Sequence, residues 1–118
     1  MIENNYKKEH RPWGNFIVFS EAHDHKVKRI IVNPGKRFSL QQHKHRSEHW
    51  FILRGEGLVT LDDKKIKLSQ YQSINIPVKT NHRMENTGDN ELVFIEIQTG
   101  DYFGEDDIER IEDDFGRA

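Results

Sequence analysis

Apolar residues recur along the chain in short β-prone runs, broken at close intervals by turn-forming residues. The runs predict strands over residues 15–20, 26–32, 37–42, 48–54, 58–61, 65–68, 72–76, 82–85 and 92–98. Asn33-Pro34-Gly35, Gly55-Glu56-Gly57, Asp62-Asp63, Pro77 and Thr87-Gly88-Asp89 supply the punctuation. Short strands at such regular spacing point to an all-β fold, an antiparallel sandwich or barrel. Two segments break the pattern. The polar first ten residues read as a flexible arm, ended by the turn Arg11-Pro12-Trp13-Gly14, with Trp13 as an anchor into the core. The tail reads as a short helix or turn segment: Glu105-Asp106-Asp107 puts carboxylates where a first helical turn favours them. Ile108, Ile111 and Phe115 then fall at i, i+3 and i+7.

Composition narrows the picture. A chain of 118 residues is one domain, 11–118 after the arm, and its apolar fraction of 34% against 32% charged makes a lean core. Such a core gains stability from a bound metal or a second subunit, so one or both, a metal and a homodimer, are expected. The net charge of −2 is spread along the chain, which argues against a nucleic-acid partner. No signal peptide is evident, and no apolar run approaches the ~18 residues of a membrane span. Without cysteine there are neither disulfides nor thiolate ligands, which suits a cytoplasmic location.

The seven histidines are unevenly placed. Gln41, His43, His45, Glu48 and His49 crowd the stretch between Gly35 and Gly55, and His82 follows Pro77. Residues two apart on a strand share a face, so Gln41 and His43 can point together, and a turn can return Glu48 toward them. Burying an imidazole, an amide and a carboxylate side by side is costly unless a cation satisfies them. With His82 the set offers two nitrogens and two oxygens, suited to Zn²⁺, with Mn²⁺ or Fe²⁺ as alternatives.

The spacing of Gly35, Gln41, His43, Glu48 and Gly55, and of Pro77, His82 and Asn86, resembles the two signature motifs of the cupin superfamily. Cupins usually carry histidine at the position of Gln41, and phosphomannose isomerases are similar to this chain in using glutamine there. Further segments narrow the likeness. Among them are Arg11-Pro12-Trp13-Gly14, His45-Arg46-Ser47-Glu48-His49-Trp50, Ile95-Glu96-Ile97-Gln98-Thr99-Gly100 and Gly104-Glu105-Asp106-Asp107-Ile108. They resemble the C-terminal cupin domain of type II mannose-6-phosphate isomerases, a domain often fused to a mannose-1-phosphate guanylyltransferase. No glycine-rich nucleotide-binding segment precedes it here, so the resemblance implies isomerase chemistry alone, on a small sugar phosphate. It also implies a jelly-roll-like barrel, with zinc on Gln41, His43, Glu48 and His82.

Other roles follow from residue chemistry on that frame. His45 and His49, which flank Glu48 in the sequence, are with Glu96 the candidate general bases; an ion pair with Arg29 is the alternative for Glu96. The phosphate calls for cations: Arg46 first, then Arg83, Lys79 and Arg11. Lys79 and Tyr71 stand where the second motif often has glycine, which implies either strain or a rebuilt turn. His43, Glu48 and His82 alone form a two-histidine, one-carboxylate set, so a non-haem iron dioxygenase is the rival enzyme. A non-catalytic sugar-phosphate-binding cupin is the third reading.

Overall fold

The computed structural model describes residues 6–116. Eleven strands carry the chain: β1 (Lys8–Arg11), β2 (Gly14–Glu21), β3 (His25–Val32), β4 (Leu40–Gln42), β5 (Arg46–Arg54) and β6 (Gly57–Leu61), then β7 (Lys64–Leu68), β8 (Ser73–Ile76), β9 (His82–Asn86), β10 (Leu92–Gly100) and β11 (Glu109–Glu112). One sheet runs β1-β2-β3-β10-β5-β8 and the other β11-β4-β9-β6-β7, with antiparallel pairing throughout. Every strand expected from the pattern is present, within a few residues of its expected ends.

Period-two burial explains the core. Along β5, Arg46, Glu48, Trp50 and Ile52 are buried while the residues between them are half-buried. Trp50, Ile52, Phe94, Val59 and Met84 are fully enclosed between the sheets. Trp13 is buried as expected, its ring 5.6 Å from Phe38, which meets Trp50 at 5.8 Å. Trp50 then lies 5.6 Å from the imidazole of His82. The aromatic core therefore ends at a histidine of β9, which faces the strand face of β5 that carries Trp50 and Glu48.

Two expectations are corrected. Residues 8–10, assigned to the flexible arm, form with Arg11 a strand paired with β2 in the register Lys8↔Ile17 to Arg11↔Gly14, and Pro12 and Trp13 form the hairpin turn. Residues 1–5 lie outside the described residues. No helix is present among the described residues, and the tail folds as β11, pairing Glu109 with Gln42 and Arg110 with Gln41. The helical stripe loses because β4 needs an edge partner and the tail carboxylates find others. Glu105 binds Lys28, and Asp107 accepts the backbone N–H of Lys44 and His45. Ile111 is left exposed and only Phe115 packs against the core. No helix among the described residues is long and apolar enough to cross a membrane.

Candidate metal centre and adjoining cavity

His43, Glu48 and His82 meet between the two sheets, with one ligand atom from each lying within 4.8 Å of the others. Inward parity on β5 places Glu48, and the β4–β9 pairing Gln41↔His82 brings the second histidine across. All three side chains are almost fully buried. The nitrogen of each ring farther from the centre is held by a carbonyl. His43 Nδ1 donates to Asp107 O, and His82 Nδ1 donates to Thr80 O at 2.9 Å. Because a carbonyl only accepts, both rings carry their proton on Nδ1 and turn an Nε2 lone pair toward Glu48. His43 Nε2 is 3.4 Å from Glu48 Oε2, and His82 Nε2 is 3.8 Å from Glu48 Oε1.

Burial pushes both imidazoles down to about 4, for His43 with the added repulsion of the Arg46 charge. They are therefore neutral at physiological pH, the state in which imidazole binds a cation. His82 Nε2 is buried without a hydrogen-bond partner, a costly arrangement that a cation on its lone pair would satisfy. The residues fit a divalent ion.

Glu48 is held on both oxygens. Trp50 Nε1 donates to Oε1 and Arg46 Nε donates to Oε2, each at 3.0 Å. The Arg46 guanidinium also reaches His43 Nε2 at 3.2 Å through Nη2, while its Nη1 is buried without a hydrogen-bond acceptor. Close approach of backbone keeps this corner tight, since a side chain on Gly100 would meet the His45 carbonyl oxygen at 2.2 Å.

Beside the trio opens a cavity of about 110 Å³, lined among others by Gln41, Arg46, Glu96, Lys28, Glu105 and Arg110. Glu96 is buried and faces inward; burial and the nearby Glu48 charge push its carboxyl up to about 7. Gln98 Nε2 donates to its Oε1 at 2.5 Å. Its cross-strand partner is Lys28, and Arg29 lies opposite Ile95 instead, so the expected Glu96–Arg29 pair is not formed. Glu105 is held the other way: burial acts to raise it, but Lys28, with Arg46 and Lys26, keeps it at about 2.

The remaining sequence candidates separate cleanly. Gln41 faces the cavity, its Oε1 accepting from Ser39 Oγ at 3.1 Å. Arg46 stands at the centre. Arg11 reaches the cavity wall, its guanidinium 5.0 Å from the Phe16 ring centre. Arg83 is buried elsewhere and works as a clamp on the tail, donating from Nε to Phe38 O at 2.9 Å and from Nη1 to Glu112 Oε1 at 2.9 Å. His49 is on the outward parity of β5 against Asn75, and His45 is exposed with Nδ1 3.7 Å from Asp101. Neither is brought to the centre. The Lys79 side chain is exposed, and its backbone N–H binds His43 O at 2.7 Å. Lys28, Glu105 and Arg110 were not singled out for the site from the sequence. A signal existed for Lys28, which shares strand parity with Ile30 on a core-facing strand.

Comparison with known proteins bears on the family and the fold. The chain is 47% identical over 114 residues to the alginate biosynthesis protein AlgA of Pseudomonas aeruginosa, and 47% identical over 113 residues to a mannose-1-phosphate guanylyltransferase of Escherichia coli. These alignments take in 97% and 96% of this chain but 24% of each relative, so the chain spans about a quarter of the curated proteins it matches. Among solved structures, an oxalate decarboxylase from Lactobacillus farciminis superposes with a TM-score of 0.80 at 17% identity, over 92% of this chain and 34% of that one. The capsular polysaccharide assembling protein CapF of Staphylococcus aureus superposes at 0.79 with 24% identity, over 91% and 32%. Those likenesses carry the cupin fold. The family described as mannose-6-phosphate isomerase C-terminal matches residues 2–113, and the chain belongs to it.

Proposed function

We propose that this chain is a metal-dependent aldose–ketose isomerase interconverting mannose 6-phosphate and fructose 6-phosphate, with zinc as its ion. The observation that carries the reading is the buried Glu96 carboxyl facing a cavity beside three metal-competent side chains. His43, Glu48 and His82 would hold the ion, with Gln41 as a neutral fourth donor. When bound, the ion supplies a Lewis acid for the substrate carbonyl and its neighbouring hydroxyl. The chain supplies the proton transfer. A carboxyl pushed up to about 7 exchanges protons readily near neutrality, so Glu96 takes the proton from C2 of the aldose and returns it to C1. Gln98 fixes the orientation of that carboxyl, and Arg46 supplies positive charge toward the substrate's anionic end.

A coupled assay with mannose 6-phosphate, run with and without chelator, tests the reading. Turnover that disappears with chelator and returns with added zinc is expected; a metal-loaded chain with no turnover contradicts it. A second reading rests on the trio alone, which is also the donor set of non-haem iron oxygenases. Bound ferrous iron together with oxygen uptake would favour that reading over isomerisation.

A further inference from the structure

At the edge of the cavity three cations, Lys28 and Arg46 of its wall and Lys26 behind them, converge on one carboxylate. Lys28 Nζ lies 2.6 Å from Glu105 Oε1, Lys26 Nζ lies 3.7 Å from the same oxygen, and Arg46 Nη1 lies 3.9 Å from Glu105 Oε2. The partners are unequal in burial. The side chains of Lys26, Lys28 and Arg46 are 10%, 6% and 4% exposed, whereas Glu105 is 49% exposed. Burying cations on two strands is costly without anions, and the anion that all three share comes from the half-open rim. Arg46 Nη1 still lacks an acceptor, although it is buried beside the cavity. Lys26 also lies 3.9 Å from Glu21 and Arg46 is paired with Glu48, but Lys28 and the outer Arg46 nitrogen turn to Glu105, whose two oxygens leave the Arg46 Nη1 donor unused. A dianionic phosphoryl group, with three terminal oxygens, matches this set better.

We infer that Lys26, Lys28 and Arg46 form a phosphoryl subsite, and that the Glu105 carboxylate is its internal occupant, displaced when a phosphate monoester binds. This deepens the isomerase reading and rests on it for the identity of the monoester as a sugar phosphate. Displacement needs only side-chain rotation, because the loop is fastened on both sides of Glu105. Phe103 is buried, and Asp107 holds the backbone of Lys44 and His45 through its carboxylate at 3.1 and 3.0 Å. Glu105 thus acts as a specificity device: a neutral sugar gains nothing by entering, and an anion must outcompete a tethered carboxylate.

The test is titration of the full chain with inorganic phosphate by calorimetry, on metal-loaded and on chelator-treated protein, since a bound ion would itself attract phosphate. Glu105→Gln removes the competing charge and keeps the side-chain size; phosphate should bind roughly tenfold tighter in both preparations. Lys28→Met keeps the apolar stem against Phe16, where the ammonium sits 4.2 Å from the ring centre, and should weaken phosphate at least about tenfold. Thermal unfolding of each variant verifies that it is folded, and Glu105→Ala repeats the first arm should the glutamine take up the same contacts. Unchanged or weaker phosphate binding in both Glu105 variants overturns the inference, as does a gain confined to metal-loaded protein. Failure of the isomerase reading is separate: phosphate binding would follow this pattern while mannose 6-phosphate was not turned over.

Discussion

Trp50 and Glu48 share one face of β5, and the indole N–H of Trp50 donates to Glu48 Oε1 at 3.0 Å. The largest enclosed side chain of the core thus orients the only carboxylate of the metal trio. Trp50→Phe keeps the ring packing and deletes the donor. Outer partners of this kind are worth about 10- to 100-fold in metal affinity, so a competition titration should show a loss in that range. Unchanged affinity would mean that Glu48 is positioned without the indole.

Arg46 and Glu48 form a buried pair, 4% and 2% exposed. Removing one partner of such a pair costs about 3–5 kcal/mol because a charge is left unpaired in the interior. A bound cation replaces the missing positive charge. Arg46→Ala should therefore destabilise chelator-treated protein by about that amount, and metal-loaded protein by much less. Metal content at saturation should be unchanged while turnover falls, measured by elemental analysis and the coupled assay. Loss of metal in the variant would make Arg46 part of the ion's support instead of the substrate's.

Acidity offers an independent check on the chelator-treated chain. His43 and His82 titrate at about 4 when folded and near 6.5 when unfolded. Between those values the unfolded chain binds more protons, so their contribution to stability is lost as pH falls from about 6.5 through 4. Glu96 has the opposite sign. Its folded value of about 7 lies above the ordinary carboxyl range, so its contribution is present below about 4.5 and is lost as pH rises through 7. Two histidines outweigh one carboxyl, and urea midpoints should drop from pH 7 to pH 5. Glu96→Gln, which imitates the protonated carboxyl, should raise the midpoint more at pH 8 than at pH 5.

The turn at Lys79 is not rebuilt. Its φ is 59°, and Tyr71, at the other position where glycine was expected, has φ 69°. Both side chains occupy a left-handed backbone that favours glycine. Lys79→Gly should raise stability by up to about 1 kcal/mol, net of glycine's greater freedom when unfolded. Lys79→Val should lower it by about 1–2 kcal/mol, since a β-branched side chain fits that region poorly. Because the Lys79 N–H holds His43 O, the valine variant should also bind metal more weakly. Equal melting temperatures for the two variants would remove strain from the account.

The metal trio was legible because its information is local. Strand parity sets Glu48, and a histidine after a proline turn returns on a neighbouring strand, where Gln41 pairs with His82. What escaped depended on distant partners. Lys28 and Glu105 are 77 residues apart, and nothing near either names the other. The tail misled for a related reason: its apolar spacing and acidic start suit a helix, but β4 offers a sheet edge and the acids meet cations and backbone N–H groups. His49 was drawn into the site by closeness in sequence, and a single step along β5 turns it to the other face.

Metal content bears most directly on the central claim, that His43, Glu48 and His82 bind one divalent ion. Elemental analysis after zinc loading and dialysis should find one ion per wild-type chain, and His43→Ala and His82→Ala, each verified as folded, should retain only a small fraction of it. Full occupancy in either variant, or no ion in the wild-type chain, would contradict the account.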